Sequence, residues 1–266
     1  MFRPILFATP FLLVASAAVA LPSCAPPVEI ENLAITRVEP NGVLVATDGR
    51  APKLEGIRLP EGRLDRAPQS LADTALSALR DLAVGHLVTV TARPPKQDRY
   101  GRVRGQIFVT DDGAVWLQEA MLRKGLARVS ISPDRRECVK ELYAAEADAR
   151  ARRAGIWALP AYAVRDAHDV SGSDLGTFQL VEGRVVNASV KSRAYLNFGT
   201  DWKKDFTATI APDDMKVFRA DGIDPASYAG KTIRVRGIVE WHGGPEIEIG
   251  SPDDIEVLPD LRATQR

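Results

Sequence analysis

The feature that most constrains this chain is an abrupt change of hydrophobic period, from two to 3.6 and back, between residues 33 and 110. Residues 33–38, 43–47 and 53–59 read as short extended runs, and Asn41-Gly42 between the first two is a strong hairpin-turn signal. Over residues 69–84, Leu71, Ala75, Ala78, Leu79 and Leu82 recur at helical spacing, with Ser70 and Asp73 suggesting a cap at the start. Extended patterns resume at 86–92 and 105–110, and Asp111-Asp112-Gly113 makes a turn. A second helix is expected over 115–124, stopping at Gly125 as C-cap. A third is expected over 133–154, with Cys138, Leu142, Ala145 and Ala149 on one face and Gly155 at its end.

The order β-β-β-α-β-β-α-α predicts a mainly β fold with α (α+β): a five-stranded barrel of the oligonucleotide/oligosaccharide-binding (OB) type with three packed helices, over residues 31–162. Residues 163–176 are polar and read as a linker. Beyond them a second β-rich block, 177–260, has strand candidates at 178–189, 194–198, 205–210, 231–241 and 245–249, and a short helix near 212–219. Five strands with one helix before the fourth again suggest a small OB-like β-barrel.

A net charge of zero conceals an asymmetry: residues 1–165 hold 23 Lys and Arg against 18 Asp and Glu, and residues 166–266 hold 12 against 17. The basic half is the better candidate to meet a polyanion such as nucleic acid. Arg3 is the sole charge among residues 1–28, an apolar run follows it, and Ala18-Val19-Ala20 suits a signal peptidase. Residues 1–20 are therefore expected to be a signal peptide and 21–30 a Pro-rich linker, making the protein exported, periplasmic or secreted, with no transmembrane span. In such a compartment Cys24 and Cys138 are disulfide candidates; Leu21-Pro22-Ser23-Cys24 read as a lipobox is the competing assignment for Cys24, a lipid anchor that Pro22 disfavours.

Four segments, taken together, carry a family resemblance. They are Lys53-Leu54-Glu55-Gly56-Ile57-Arg58-Leu59-Pro60-Glu61, Asp98-Arg99-Tyr100-Gly101-Arg102, Trp116 through Ala127, and Glu146-Ala147-Asp148-Ala149-Arg150 with Gly155-Ile156-Trp157. In order and spacing they resemble staphylococcal nuclease-like (thermonuclease-family) domains over about half of the chain. The resemblance implies cleavage of phosphodiester bonds in DNA or RNA with one Ca²⁺. Carboxylates hold such a cation, cation and arginines neutralise charge growing on the phosphate, and a glutamate assists the attacking water.

Residue by residue, the resemblance makes Glu61 the base candidate, Arg102 a phosphate-binding arginine and Tyr100 an aromatic beside the substrate phosphate. Lys53 stands for the first arginine and keeps its charge without the planar fork. Arg58 replaces a calcium-binding aspartate, and Pro40-Asn41-Gly42-Val43 lacks the other metal carboxylate. Ile131 stands where the family has a second tyrosine. The Ca²⁺ expected for the family thus finds its ligands out of place, and no metal site is assigned; Glu39, Asp48 and Asp65 are the nearby carboxylates a shifted loop would have to recruit. Arg58 is then read as a substrate-binding residue that contacts phosphate in the metal's stead. The alternative to hydrolysis is a catalytically inactive scaffold that binds nucleic acid or protein.

Outside these segments, Glu119, Glu146 and Trp157 read as structural. Tyr195, Phe198, Trp202 and Phe206, with Lys203 and Lys204, would make either a base-stacking platform or a core with a packed rim. His86, His168 and His242 are expected to stand apart from carboxylates and cysteines.

Overall fold

The computed structural model of the chain describes residues 21–201 and 203–259. The segment read as a signal peptide, and Trp202, lie outside the described residues. The chain opens with β1 (Val28–Val38), β2 (Leu44–Ala46), β3 (Lys53–Leu54) and β4 (Ile57–Arg58), followed by α1 (Gly62–Asp65) and α2 (Gln69–Ala83). Next come β5 (Leu87–Thr91), β6 (Arg104–Val109), β7 (Val115–Trp116), α3 (Leu117–Arg123), β8 (Arg128–Val129) and α4 (Val139–Ala151).

The first sheet runs β2-β1-β5-β6-β3, with β7 also on β6. β1 is long enough to pair with β2 at one end and β5 at the other, with register shifts that let it bend. β3 pairs in parallel with β6, setting Lys53 opposite Arg104. The sheet path stays open, but Leu44 N donates to Pro52 O (3.0 Å) and Ala46 N to Arg50 O (2.9 Å), carrying β2 round to the chain that leads into β3. α2 buries Ala75, Leu76, Leu79 and Ala83 in the apolar core that also holds Leu33, Ile35 and Ile107; each fully buried Leu or Ile contributes about 1.5–3 kcal/mol.

Three local expectations are corrected. Pro68 is the N-cap of α2, so Ser70 lies inside the helix and accepts the Thr74 hydroxyl at its carbonyl (2.7 Å) instead of capping. Val115 and Trp116 are strand, because they pair with Val109 and Phe108 before α3 begins. α4 starts at Val139 rather than near 133, because Cys138 holds a left-handed backbone (φ 56°) that a continuing helix excludes. Gly125 ends α3 with φ 65°, its N–H bonded to Leu122 O (2.8 Å). Cys24 and Cys138 are joined by a disulfide that spans 114 residues.

The second half contains β9 (Arg165–Asp166), β10 (Phe178–Arg184), β11 (Asn187–Val190), β12 (Ala194–Asn197), β13 (Thr207–Ile210) and α5 (Met215–Ala220). It ends with β14 (Thr232–Trp241), β15 (Pro245–Glu248) and β16 (Ile255–Val257). Its sheet runs β11-β12-β13-β15-β14-β10-β9, with β16 also on β14. Its parallel pair β13–β15 flanks α5 and β14, just as the parallel pair β3–β6 of the first sheet flanks α2 and β5.

The stretch between the sheets is pinned rather than loose. Ser171 and Asp174 form a capping box, and Arg66 donates to Ser173 O and, at 3.0 Å, to Leu175 O. A shared apolar cluster of Ala149, Ile156, Trp157, Tyr162, Phe178 and Leu180 joins the halves. Among the described residues no helix is long and apolar enough to cross a membrane.

Candidate functional site

The β1–β2 hairpin turn, the β3–β4 segment and the start of α1 enclose a cavity of about 580 Å³. Asn41 and Gly42 form one wall, Lys53, Arg58, Leu59 and Glu61 another, and Leu64, Leu76 and Leu79 the floor. Local backbone chemistry sets the walls. Asn41 Oδ1 accepts Val43 N (3.1 Å), which closes the turn, and Glu61 supplies the extended N-cap of α1. Lys53 and Glu61 therefore share one cavity, and the Glu61 side chain is 56% exposed at its edge.

Apolar side chains make up much of the lining of this cavity. Leu59 reaches over to the turn so closely that a Cβ at Gly42 would stand 2.9 Å from Leu59 Cδ1, at a backbone with φ +77°. A leucine side chain thus stands between the two segments that carry the carboxylates in the resembled family.

Arg58 lines the cavity and is also engaged by neighbouring side chains. Its Nη2 is 3.5 Å from buried Asp65 Oδ1 and 4.0 Å from Glu61 Oε2, and its guanidinium lies over the Phe178 ring at 4.4 Å. Asp65 also accepts the Glu61 backbone N–H (2.8 Å) and bonds Arg128. Arg128 donates to Phe178 O (2.7 Å) and lies over the rings of Phe178 and Tyr162. Burial pushes the Arg128 guanidinium down to about 10, against the attraction of Asp65. Arg58, expected to contact phosphate, thus lines the cavity and also takes part in a junction between the two sheets.

Glu39, Asp48 and Asp65, the carboxylates a shifted loop would have to recruit, are each engaged by an arginine. Glu39 accepts Arg37 (3.0 Å), Asp48 accepts Arg50 (2.7 Å), and Asp65 holds Arg58 and Arg128. Each of the three is thus charge-compensated, whereas Glu61 lines the cavity with its side chain largely exposed.

Arg102 does not line this cavity. Its Nε and Nη2 bond Asp98 Oδ2 at 2.7 and 2.6 Å, while Asp98 Oδ1 accepts the backbone N–H groups of Tyr100 (2.8 Å) and Arg102 (3.1 Å). Partial burial works to raise the Asp98 pKa, but the donors from Arg102 and Tyr100 outweigh it and hold the carboxyl at about 2. Tyr100 is 65% exposed, with the guanidinium groups of Arg99 and Arg102 each 4.8 Å from its ring. The motif is thus a self-ordered turn that presents an aromatic ring flanked by two cations.

In the second half, Phe198 and Phe206 are core, with ring centroids 5.1 Å apart, so Tyr195 is the aromatic of that group left exposed among the described residues. The sequence spacing of these aromatics could not separate platform from core, because burial follows strand pairing. The expected isolation of the histidines is corrected. His86 Nδ1 is 3.2 Å from Asp111, and His242 Nδ1 is 2.9 Å from Glu246 and 3.9 Å from Glu240. Sequence reasoning also missed Arg128, Phe178 and Arg236, whose roles depend on contacts fifty or more residues away.

No curated protein matches the chain. Residues 53–159 match the family described as staphylococcal nuclease homologue, a stretch that runs from β3 to the end of the helical segment after α4. Over those residues the chain carries a domain of the staphylococcal nuclease homologue family.

Proposed function

We propose that this is an exported protein whose nuclease-family domain binds phosphodiester ligands without the family's calcium-dependent hydrolysis. One observation carries this reading: Leu59 packs against Gly42 while Glu39, Asp48 and Asp65 are each held by an arginine. On this reading those three carboxylates are not available as ligands for Ca²⁺. Binding would rest on Lys53, which among the described residues has no carboxylate within ion-pair distance, and on the exposed Tyr100 with Arg99 and Arg102. Base stacking and cation contacts of this kind suit single strands. On this reading residues 177–260 form a second, OB-type module fixed to the first through 163–176, and its more acidic composition suits a protein partner.

The Cys24–Cys138 disulfide supports export to an oxidising compartment, and a thiol so engaged is not available for lipidation. The intact mass of exported protein checks this: loss of residues 1–20 and of two hydrogens is expected, and an added acyl mass would overturn it.

A second reading, hydrolysis, is favoured by the exposure of Glu61 beside Lys53 in one cavity. The test is to incubate the purified mature protein with single-stranded DNA and RNA in Ca²⁺, in other divalent ions and in chelator. Salt-sensitive binding weakened by Lys53→Ala or Arg102→Ala, with no cleavage, is the expected result. Cleavage abolished by both Glu61→Gln and Arg102→Ala would establish the enzyme reading instead. Absence of both binding and cleavage would sink both.

A further inference from the structure

The second sheet carries a cluster that neither the nuclease resemblance nor the proposed phosphodiester site absorbs. β14 and β15 are antiparallel, and their register sets Glu240 directly opposite Glu246. Like charges directly opposed across a strand pair are destabilising, and sheets ordinarily relieve them with a cation. Here no Lys or Arg among the described residues lies within ion-pair distance of either carboxylate. The neighbouring Glu248, by contrast, is paired with Arg193 at 2.7 Å. Against Glu240 and Glu246 the hairpin places an imidazole, His242, whose backbone N–H is fixed by Gly244 O at 3.0 Å.

From this geometry we infer that Glu240, His242 and Glu246 form a binding site for a divalent transition-metal ion of the zinc class. Each residue offers one ligand atom, and the three atoms lie within 4.8 Å of one another. Ligand atoms around a tetrahedral ion at ~2.1 Å stand about 3.4 Å apart. The distances from His242 Nδ1, 2.9 Å to Glu246 and 3.9 Å to Glu240, bracket that value, so small side-chain rotations bring the set to bonding geometry. One imidazole with two carboxylates suits zinc-class ions better than Ca²⁺, which takes six or more oxygens.

The three ligands open onto a cavity of about 780 Å³ that Tyr195, Asn197 and Arg193 also line. A bound ion would therefore keep open positions toward the cavity, the arrangement of an exchangeable site rather than a closed structural one.

The test uses tag-free mature protein stripped with chelator and titrated calorimetrically with ZnCl₂, MnCl₂ or CaCl₂. One equivalent of Zn²⁺ per chain is expected to bind saturably, with no measurable heat from Ca²⁺. His242→Ala and Glu246→Gln are each expected to raise the Zn²⁺ dissociation constant at least about tenfold. His86→Ala, which alters the separate His86–Asp111 pair, is expected to leave it unchanged. His242 is largely exposed, so its replacement leaves the core untouched, and far-UV circular dichroism of each variant verifies the fold. Wild-type protein without saturable Zn²⁺ binding, or binding that survives His242→Ala and Glu246→Gln, overturns the assignment.

Discussion

Arg236 on β14 reaches across the junction between the two sheets and bonds both carboxylate oxygens of Glu146 on α4, at 3.2 and 3.0 Å. Both side chains are buried. Glu256 takes a further Arg236 bond (2.8 Å), Val129 O another (3.0 Å), and the Tyr143 ring lies 4.3 Å from the guanidinium. Burial alone would lower the Arg236 pKa, but Glu146, Tyr143 and Glu256 more than offset it and keep the guanidinium charged. The nuclease-family domain and the second sheet are thus held by a charge pair with every neighbour in place.

Breaking one side of such a pair leaves an uncompensated buried charge. Arg236→Met is expected to lower stability by about 3–5 kcal/mol, and Arg236→Met with Glu146→Leu to recover most of it. A urea-denaturation double-mutant cycle reads this out; equal losses in single and double variants would contradict it.

Reinstating an acid at the resembled metal position is expected to fail. Arg58→Asp removes the contacts to Asp65 and Phe178 and brings two carboxylates together. A loss of roughly 2–4 kcal/mol is expected. Thermal melts with and without Ca²⁺ should show the same reduced midpoint. A midpoint restored by Ca²⁺ would mean that the cavity can still take the ion.

The Cys24–Cys138 disulfide closes 114 residues of chain. By the chain-entropy account its loss costs about 4–5 kcal/mol. The urea midpoint of Cys24→Ser with Cys138→Ser is expected to fall accordingly, and reductant should move the wild type toward the variant while leaving the variant unchanged.

Asp98 sets a pH dependence. Its folded pKa, about 2, lies below the ordinary value of 3.8, so it binds its proton less readily in the native state than in the unfolded one. Its contribution to stability is complete above 3.8 and is lost as pH falls through about 2. Asp98→Asn is expected to flatten acid unfolding in that window, and the Asp98 carboxyl resonance to titrate near the lower value. A midpoint near 4 would refute the pairing with Arg102.

The longer elements of the nuclease-family domain were legible in the sequence because they are written in local signals: the Asn41-Gly42 turn, the helical spacing from Leu71 to Leu82, and Gly125 after α3; the short α1, β7 and β8 were not. So was the presence of Arg58 and Leu59 where the resembled family carries a metal-binding aspartate, since they are read directly off the chain. What those substitutions do was decided by tertiary structure alone. Arg58 stacks on Phe178, 120 residues away, and Leu59, just after β4, reaches the turn at Gly42. The Glu146–Arg236 pair and the His242 cluster likewise arise from strand register and docking. Local backbone preference acts over a few residues and leaves a periodic trace. Burial of a charge, and the partner that compensates it, depend on which distant segments the fold brings together.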